Sequence, residues 1–326
     1  MTAETLDPAL AEFAAVIHAK VGTVPPRIPP PSPAIDQTHS EWLAEIEAAR
    51  AEGDRLAGIV IEHLDLPSPD VGAVEDHVIP VRDGAVRCRV YLPKGDGPFP
   101  GLVYLHGGAW WLAGGTRGFA LNDSHCRILC ADAQTVVVSI DYRLAPEFPF
   151  PIQLDDAFES VAWTHCSGDD LRIDSANVSI AGTSSGGNLA AAVCLLARER
   201  GGPPIRAQIL HVPVLDLTLG SPSVQADSEM EDHLSAVIDL YVTREQRTKP
   251  TVSPLLANDL SNLPPAFIAT GQHDPLVDDG RRYAERLLAE GTDATWVDYP
   301  MFHGIGLPST MAAMYADIVA ALRTLG

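Results

Sequence analysis

The sequence predicts an α/β fold: a mostly parallel central sheet with helices on both faces and a helical cap. Three observations predict it. Beyond residue 135, short apolar runs alternate with helix-length segments in a strand–helix rhythm. The run Thr-Val-Val-Val-Ser-Ile at 135–140 is rich in β-branched residues, as a strand buried on both faces requires. Asp83-Gly84 between the apolar stretches 78–81 and 86–92 is a hairpin signal, which adds an antiparallel entry to the sheet.

The elements follow in order. Residues 4–20 carry Leu6, Leu10, Phe13 and Ile17 at helical spacing. Pro25, Pro26, Pro29, Pro30, Pro31 and Pro33 then exclude helix interior and central strand, so an extended connector is expected. A second helix is expected over 40–56. After the hairpin come strands at 102–105 and 135–140, a helix at 154–165, a strand at 178–181, a helix at 186–198 and a strand at 207–213. A strand at 266–270, a helix at 278–290, a strand at 295–299 and a helix at 309–322 complete the alternation. The polar, acidic stretch 219–249 interrupts it. The organisation expected is an N-terminal helical cap segment, 1–60, and a catalytic domain, 61–326, with a cap insertion near 219–249.

Composition excludes several classes. The chain has 326 residues, and 43 acids against 22 bases give it a formal charge of −21. Such a surface repels nucleic acid and anionic lipid; solubility is its plain purpose and a cationic substrate the alternative. Five cysteines, Cys88, Cys126, Cys130, Cys166 and Cys194, form no CxxC pair and are expected reduced, in or near the core. No metal is expected. The first fifteen residues lack a basic region and no apolar run is long enough to span a membrane, so no stable membrane insertion is expected and the cytoplasm is the expected compartment.

The chemistry gathers in a few short motifs. Gly182-Thr183-Ser184-Ser185-Gly186 is G-x-S-x-G between an expected strand and an Ala-rich helix. That context makes Ser184 a candidate nucleophile on a sharp turn at a helix N-terminus, where developing negative charge is favoured. Ser185 is the rival hydroxyl, but only Ser184 has a glycine at both offsets. His106-Gly107-Gly108-Ala109 ends a strand, and its flexible backbone offers N–H groups to an oxyanion alongside that of Ser185. His303 follows the last strand and Asp274 follows the strand before it, so both belong to the sheet rim that carries Ser184. His303 is the candidate base and Asp274 its orienting acid; His273 adjoins Asp274 too closely in sequence to be its partner. Asp278 and Asp279 read as first-turn helix acids. Trp110 and Trp111 divide between core packing and the substrate pocket.

Taken together, His106-Gly-Gly-Ala-Trp-Trp111, Asp141-Tyr-Arg-Leu-Ala-Pro-Glu147, Gly182-Thr-Ser-Ser-Gly-Gly187, Asp274-Pro-Leu-Val-Asp-Asp-Gly280 and His303-Gly304 resemble the hormone-sensitive-lipase-like family of microbial esterases within the α/β-hydrolases. The resemblance covers about residues 75–325. It implies the α/β-hydrolase fold, nucleophile Ser184, acid Asp274, base His303, oxyanion donors from Gly107, Gly108 or Ala109 and Ser185, and a cap built from the N-terminus and an insertion. It implies that Arg143 and Glu147, with His106, Asp141 and Tyr142, support the site from behind. Two departures stand out: Ala109 replaces the family's third glycine, and Ser185 adds a hydroxyl beside the nucleophile that could bind water or substrate.

The function expected is hydrolysis of small to medium carboxylic esters through an acyl-enzyme, with no cofactor. The alternatives are the same triad acting on a lactone, carbamate or amide, and a non-catalytic small-molecule receptor on this fold. The expected partner is a small-molecule ester, and strand 295–299, if it lies at a sheet edge, offers a homodimer contact.

Overall fold

The structure, a computed structural model, describes residues 6–21, 28–34 and 37–325. Pro25, Pro26 and the start of the first expected helix lie outside the described residues.

Eight strands form one sheet in the order β1-β2-β4-β3-β5-β6-β7-β8. β1 (Ala73–Val81) and β2 (Gly84–Leu92) close the hairpin on Asp83, with Val81 opposite Gly84, and β2 runs antiparallel to β4 (Val136–Asp141). All later pairings are parallel: β3 (Phe99–Leu105) with β4 and with β5 (Ile173–Thr183), then β6 (Gln208–His211), β7 (Ala266–Gly271) and β8 (Ala294–Tyr299). β8 is an edge strand, as the sequence suggested.

Side chains alternate across each strand, and the core divides accordingly. Val103 and Leu105 face the cluster that includes α4 (Ile152–Cys166), α6 (Ser185–Arg200) and α9 (Val277–Ala289). Leu102 and Tyr104 face α3 (Gly115–Ala133) and α10 (Pro308–Thr324) on the other side. Both faces are therefore covered, which is why the central strands read as apolar runs.

The N-terminal segment supplies α1 (Pro8–Val21) and α2 (His39–Leu64). Thr38 caps α2 in a capping box with Glu41, and the Trp42 indole donates to Pro30 O at 3.0 Å, tying the proline connector down. α2 runs eight residues past its expected end and beyond residue 60, because Leu64 is buried on the α3–α10 side of the sheet and holds the last turns. The 219–249 stretch holds α7 (Pro222–Gln225) and α8 (Ser228–Tyr241), with α5 (Gly168–Leu171) a short turn before β5. Four of the five cysteines are buried; Cys166, expected in or near the core, is exposed at the end of α4. Among the described residues, no helix is long and apolar enough to cross a membrane and no His/Cys/Asp/Glu cluster is arranged to hold a metal ion.

Candidate active site

The chain leaves β3 for β4 on one side and returns to β5 on the other, so the loops after β3 and β5 emerge side by side where the strand order reverses. Register fixes the juxtaposition. Leu105 pairs with Gly182, Thr183 with His211 and Gly271 with Tyr299, which brings the ends of β3, β5, β6, β7 and β8 to one rim.

Ser184 sits on the turn from β5 into α6 with φ 55 and ψ −116. A non-glycine residue held there stores about 1–3 kcal/mol, a cost that surrounding contacts must offset. The Ser184 amide donates to His211 O at 2.8 Å and its carbonyl accepts from Asn188 N at 3.0 Å. The flanking glycines make the turn possible. A Cβ on Gly182 would lie 2.1 Å from Gly186 O, and one on Gly186 would lie 2.0 Å from Leu105 O.

His303 Nε2 lies 2.9 Å from Ser184 Oγ, and His303 Nδ1 lies 2.7 Å from Asp274 Oδ2. The loop holding His303 is pinched by the Met301–Gly306 bridge and by the Phe302 N–H donating to Ile305 O at 2.8 Å. Asp274 is fixed through its other oxygen, which accepts from Leu276 N at 2.9 Å. The Asp274 side chain is 1% exposed and that of His303 39%, so the relay opens to solvent at its histidine end. Burial pulls the His303 imidazole down, but the charge of Asp274 and its hydrogen bond outweigh it and hold the pKa above the usual histidine value. His273 turns away and packs on Phe302.

The loop after β3 passes beside the serine: a Cβ on Gly107 would lie 3.4 Å from Ser184 Cβ. Gly108, Ala109 and Trp110 all have positive φ. Gly108 O accepts from Trp111 N at 3.1 Å and Leu112 N at 2.8 Å. In a trans peptide the Ala109 N–H points opposite to that carbonyl, so these bonds fix its direction. Ser185 is the first residue of α6, where an amide has no partner within the helix. The amides of Gly107, Gly108, Ala109 and Ser185 donate to no backbone carbonyl among the described residues. They are free for an oxyanion.

The flanking residues take more specific places than the sequence suggested. His106 stacks on Tyr142 at 4.2 Å, and the Tyr142 hydroxyl donates to His106 O at 2.8 Å. Arg143 grips buried Asp156 (2.6 Å), and Asp141 accepts from Arg87 (2.8 Å) and Gly115 N (2.7 Å). Glu147 is paired bidentately by Arg50 of α2, both contacts 2.9 Å. Two expectations are corrected, and Asp279, a first-turn acid of α9 as expected, has a further role. The Ser185 hydroxyl is not free for water or substrate, because the residue is wholly buried under the turn. Neither tryptophan faces an open pocket: each is 2% exposed, and Trp110 stacks on Tyr241 of α8 at 4.4 Å. Asp279 is more than a helix-dipole acid. It is buried, accepts from Leu215 N, Asp216 N and Ser221 Oγ, and is pushed up to about 6 by that burial.

Sequence reasoning missed His211 and His125, packed behind the turn. His211 Nδ1 lies 3.3 Å from Thr183 Oγ1, and His125 Nδ1 lies 2.8 Å from Tyr315 Oη. Burial pushes both down to about 3, so they stay neutral and place no cation under the relay.

Comparisons with known proteins agree with this geometry. A family model described as the α/β hydrolase fold matches residues 102–306. The chain is 40% identical over 255 residues to carboxylesterase NlhH of Mycobacterium tuberculosis, covering 74% of this chain and 79% of that one. It is 35% identical over 268 residues to an arylesterase of Saccharolobus solfataricus, covering 80% and 86%. Among solved structures, the Pyrobaculum calidifontis esterase superposes with a TM-score of 0.78 at 34% identity, over 86% of this chain and 92% of that one. The fold, the matched span and the relatives agree: the chain belongs to the α/β-hydrolase family, in its hormone-sensitive-lipase-like branch.

Proposed function

We propose that the protein is a serine carboxylic-ester hydrolase acting on small to medium acyl esters, with Ser184 as nucleophile, His303 as base and Asp274 as orienting acid. The observation that carries the proposal is the unbroken relay, 2.9 Å from Ser184 to His303 and 2.7 Å from His303 to Asp274. Ser184 Oγ attacks the ester carbonyl carbon while its proton passes to His303 Nε2. The carbonyl oxygen, now anionic, is received by the amides of Ser185 and of the Gly107–Ala109 loop; losing one such donor costs about a hundredfold or more in rate. The tetrahedral adduct collapses, the leaving alcohol takes the proton from His303, and the acyl group stays on Ser184. Water then attacks the acyl carbon with His303 again as base, releasing the carboxylic acid and restoring the serine. The carboxylesterase and arylesterase names of the relatives support this bond class.

The test pairs a p-nitrophenyl ester series with a fluorophosphonate probe. Turnover of acetate to octanoate esters and a single phosphonyl adduct on the peptide bearing Ser184 are the expected results. An adduct on another residue would overturn the assignment.

Around this centre the N-terminal residues to about 60 and the 219–249 insertion act as the cap over a catalytic domain. The protein works in the cytoplasm and does not engage nucleic acid, as its charge favours. Two copies pair through edge strand β8. Light scattering at micromolar concentration should give twice the chain mass, and a proline at Val297 should return it to one; a monomer throughout would sink the pairing.

A further inference from the structure

The geometry points to helix α2 as a clamp on the oxyanion loop, with Arg50 and Asp54 as positioning residues for its donors. The inference rests on the oxyanion role proposed for that loop. Arg50, Gly53 and Asp54 share one face of α2 through their i, i+3, i+4 spacing. They meet three consecutive loop residues. Arg50 Nε donates to Trp111 O at 2.8 Å, Gly53 lies against Leu112, and Asp54 Oδ1 accepts from Ala113 N at 2.9 Å.

Each contact is built for closeness. A Cβ on Gly53 would sit 2.8 Å from Leu112 Cδ2, the far end of a flexible side chain, so the bare glycine lets the helix lie directly against Leu112. Asp54 is buried, and its carboxylate is spent on one loop amide. Arg50 uses its whole fork. Besides Trp111 O it donates to Ala145 O at 3.2 Å and to both oxygens of Glu147, while Glu47 stands 3.9 Å away. It therefore joins the loop after β3 to the loop after β4, a link completed by Ala145 N donating to Trp110 O at 2.9 Å.

The loop needs such support. Gly108, Ala109, Trp110 and Ala113 are all left-handed, a conformation that non-glycine residues keep only when held. The bonds from Trp111 N and Leu112 N to Gly108 O transmit the grip to the Gly108–Ala109 peptide, whose N–H is an oxyanion donor candidate. α2 thereby belongs to the catalytic apparatus as well as to the cap. A helix that only covered the site would govern substrate affinity; this one governs the rate of the chemical step.

The experiment measures kcat, KM and the Ki of an alkyl trifluoromethyl ketone, whose hemiketal oxyanion occupies the same hole, in the full-length enzyme. Arg50→Ala is expected to lower kcat about a hundredfold with KM within about threefold, as for a displacement of reacting groups by about 1 Å. The ketone Ki should rise in step with the loss in kcat/KM. Added guanidinium at low millimolar concentration should restore part of kcat, whereas a merely unstable variant would be further weakened. Arg50→Lys should remain impaired, since an ammonium cannot satisfy the Glu147 carboxylate and two carbonyls in one plane. If Arg50→Ala fails to fold, Arg50→Lys carries the same comparison. Arg55→Gln, on the exposed face of α2, is the control with unchanged turnover. Wild-type kcat with raised KM in the Arg50 variants would overturn the clamp. Full turnover in Ser184→Ala would instead overturn the nucleophile reading, so the two failures are distinguishable.

Discussion

Ser184→Ala should lower kcat by about 10^4- to 10^6-fold while leaving the fold and substrate affinity in place, because the variant removes one oxygen from a turn whose backbone is fixed elsewhere. That backbone is held by the Ser184 amide on His211 O, the close approach of Gly186 to Leu105 O, and Asn188 N on Ser184 O. His303→Ala should cost a similar factor, because the serine and histidine act as one unit. The double variant should then be scarcely slower than either single one, the residual rate coming from the oxyanion donors and binding. His273→Ala should keep most activity, since that ring packs on Phe302 outside the relay. Steady-state kinetics on p-nitrophenyl butyrate decides the matter: losses that multiply in the double variant would mean that the two residues do not serve one proton transfer.

These three residues were legible in the sequence for a physical reason. Each stands in a backbone environment that leaves a local mark. A strained turn wedged against its neighbours demands glycine at 182 and 186, and the acid and base follow apolar strands whose parallel order forces their ends to a common rim. The sheet was legible because burial on both faces imposes apolar runs, and the hairpin because Asp83-Gly84 marks its turn, which the structure places on Arg82-Asp83 with Gly84 opening β2. Contacts between distant segments leave no such mark. Ala-Glu-Ile-Glu-Ala-Ala-Arg-Ala-Glu-Gly-Asp, 44–54, reads as an exposed, charged helix face, yet Arg50 reaches Glu147 and Asp54 reaches Ala113. Ser185 reads as a pocket hydroxyl beside the nucleophile, and only the packing of α6 under the turn shows it buried. His211 reads as an ordinary residue within the strand expected at 207–213, and its place beside Thr183 depends on the β5–β6 register.

Asp274→Asn tests the relay from its far end and carries two separable consequences. The asparagine keeps the size of the side chain but removes the charge that stabilises the imidazolium, and its amide can impose the wrong tautomer on His303. A loss of about 10^4 in kcat is expected at neutral pH. The second consequence is in the pH profile. His303 must be neutral to accept the serine proton, so kcat/KM falls as pH drops through its pKa. In the native protein burial lowers that pKa, while the charge and hydrogen bond of Asp274 raise it further than burial lowers it, leaving the net value above the ordinary histidine value. The acid limb of the native enzyme should therefore lie above pH 6.5, the ordinary value. Removing Asp274 takes away both raising contributions and leaves burial alone, so the limb of the variant should move to lower pH even as the plateau collapses. Profiles of kcat/KM from pH 4.5 to 9 on a neutral ester isolate this limb, since the substrate does not titrate there. A limb that stayed in place would mean that Asp274 does not set the charge state of His303. A limb that moved up would mean that His303 takes its proton affinity from some group other than the carboxylate 2.7 Å away.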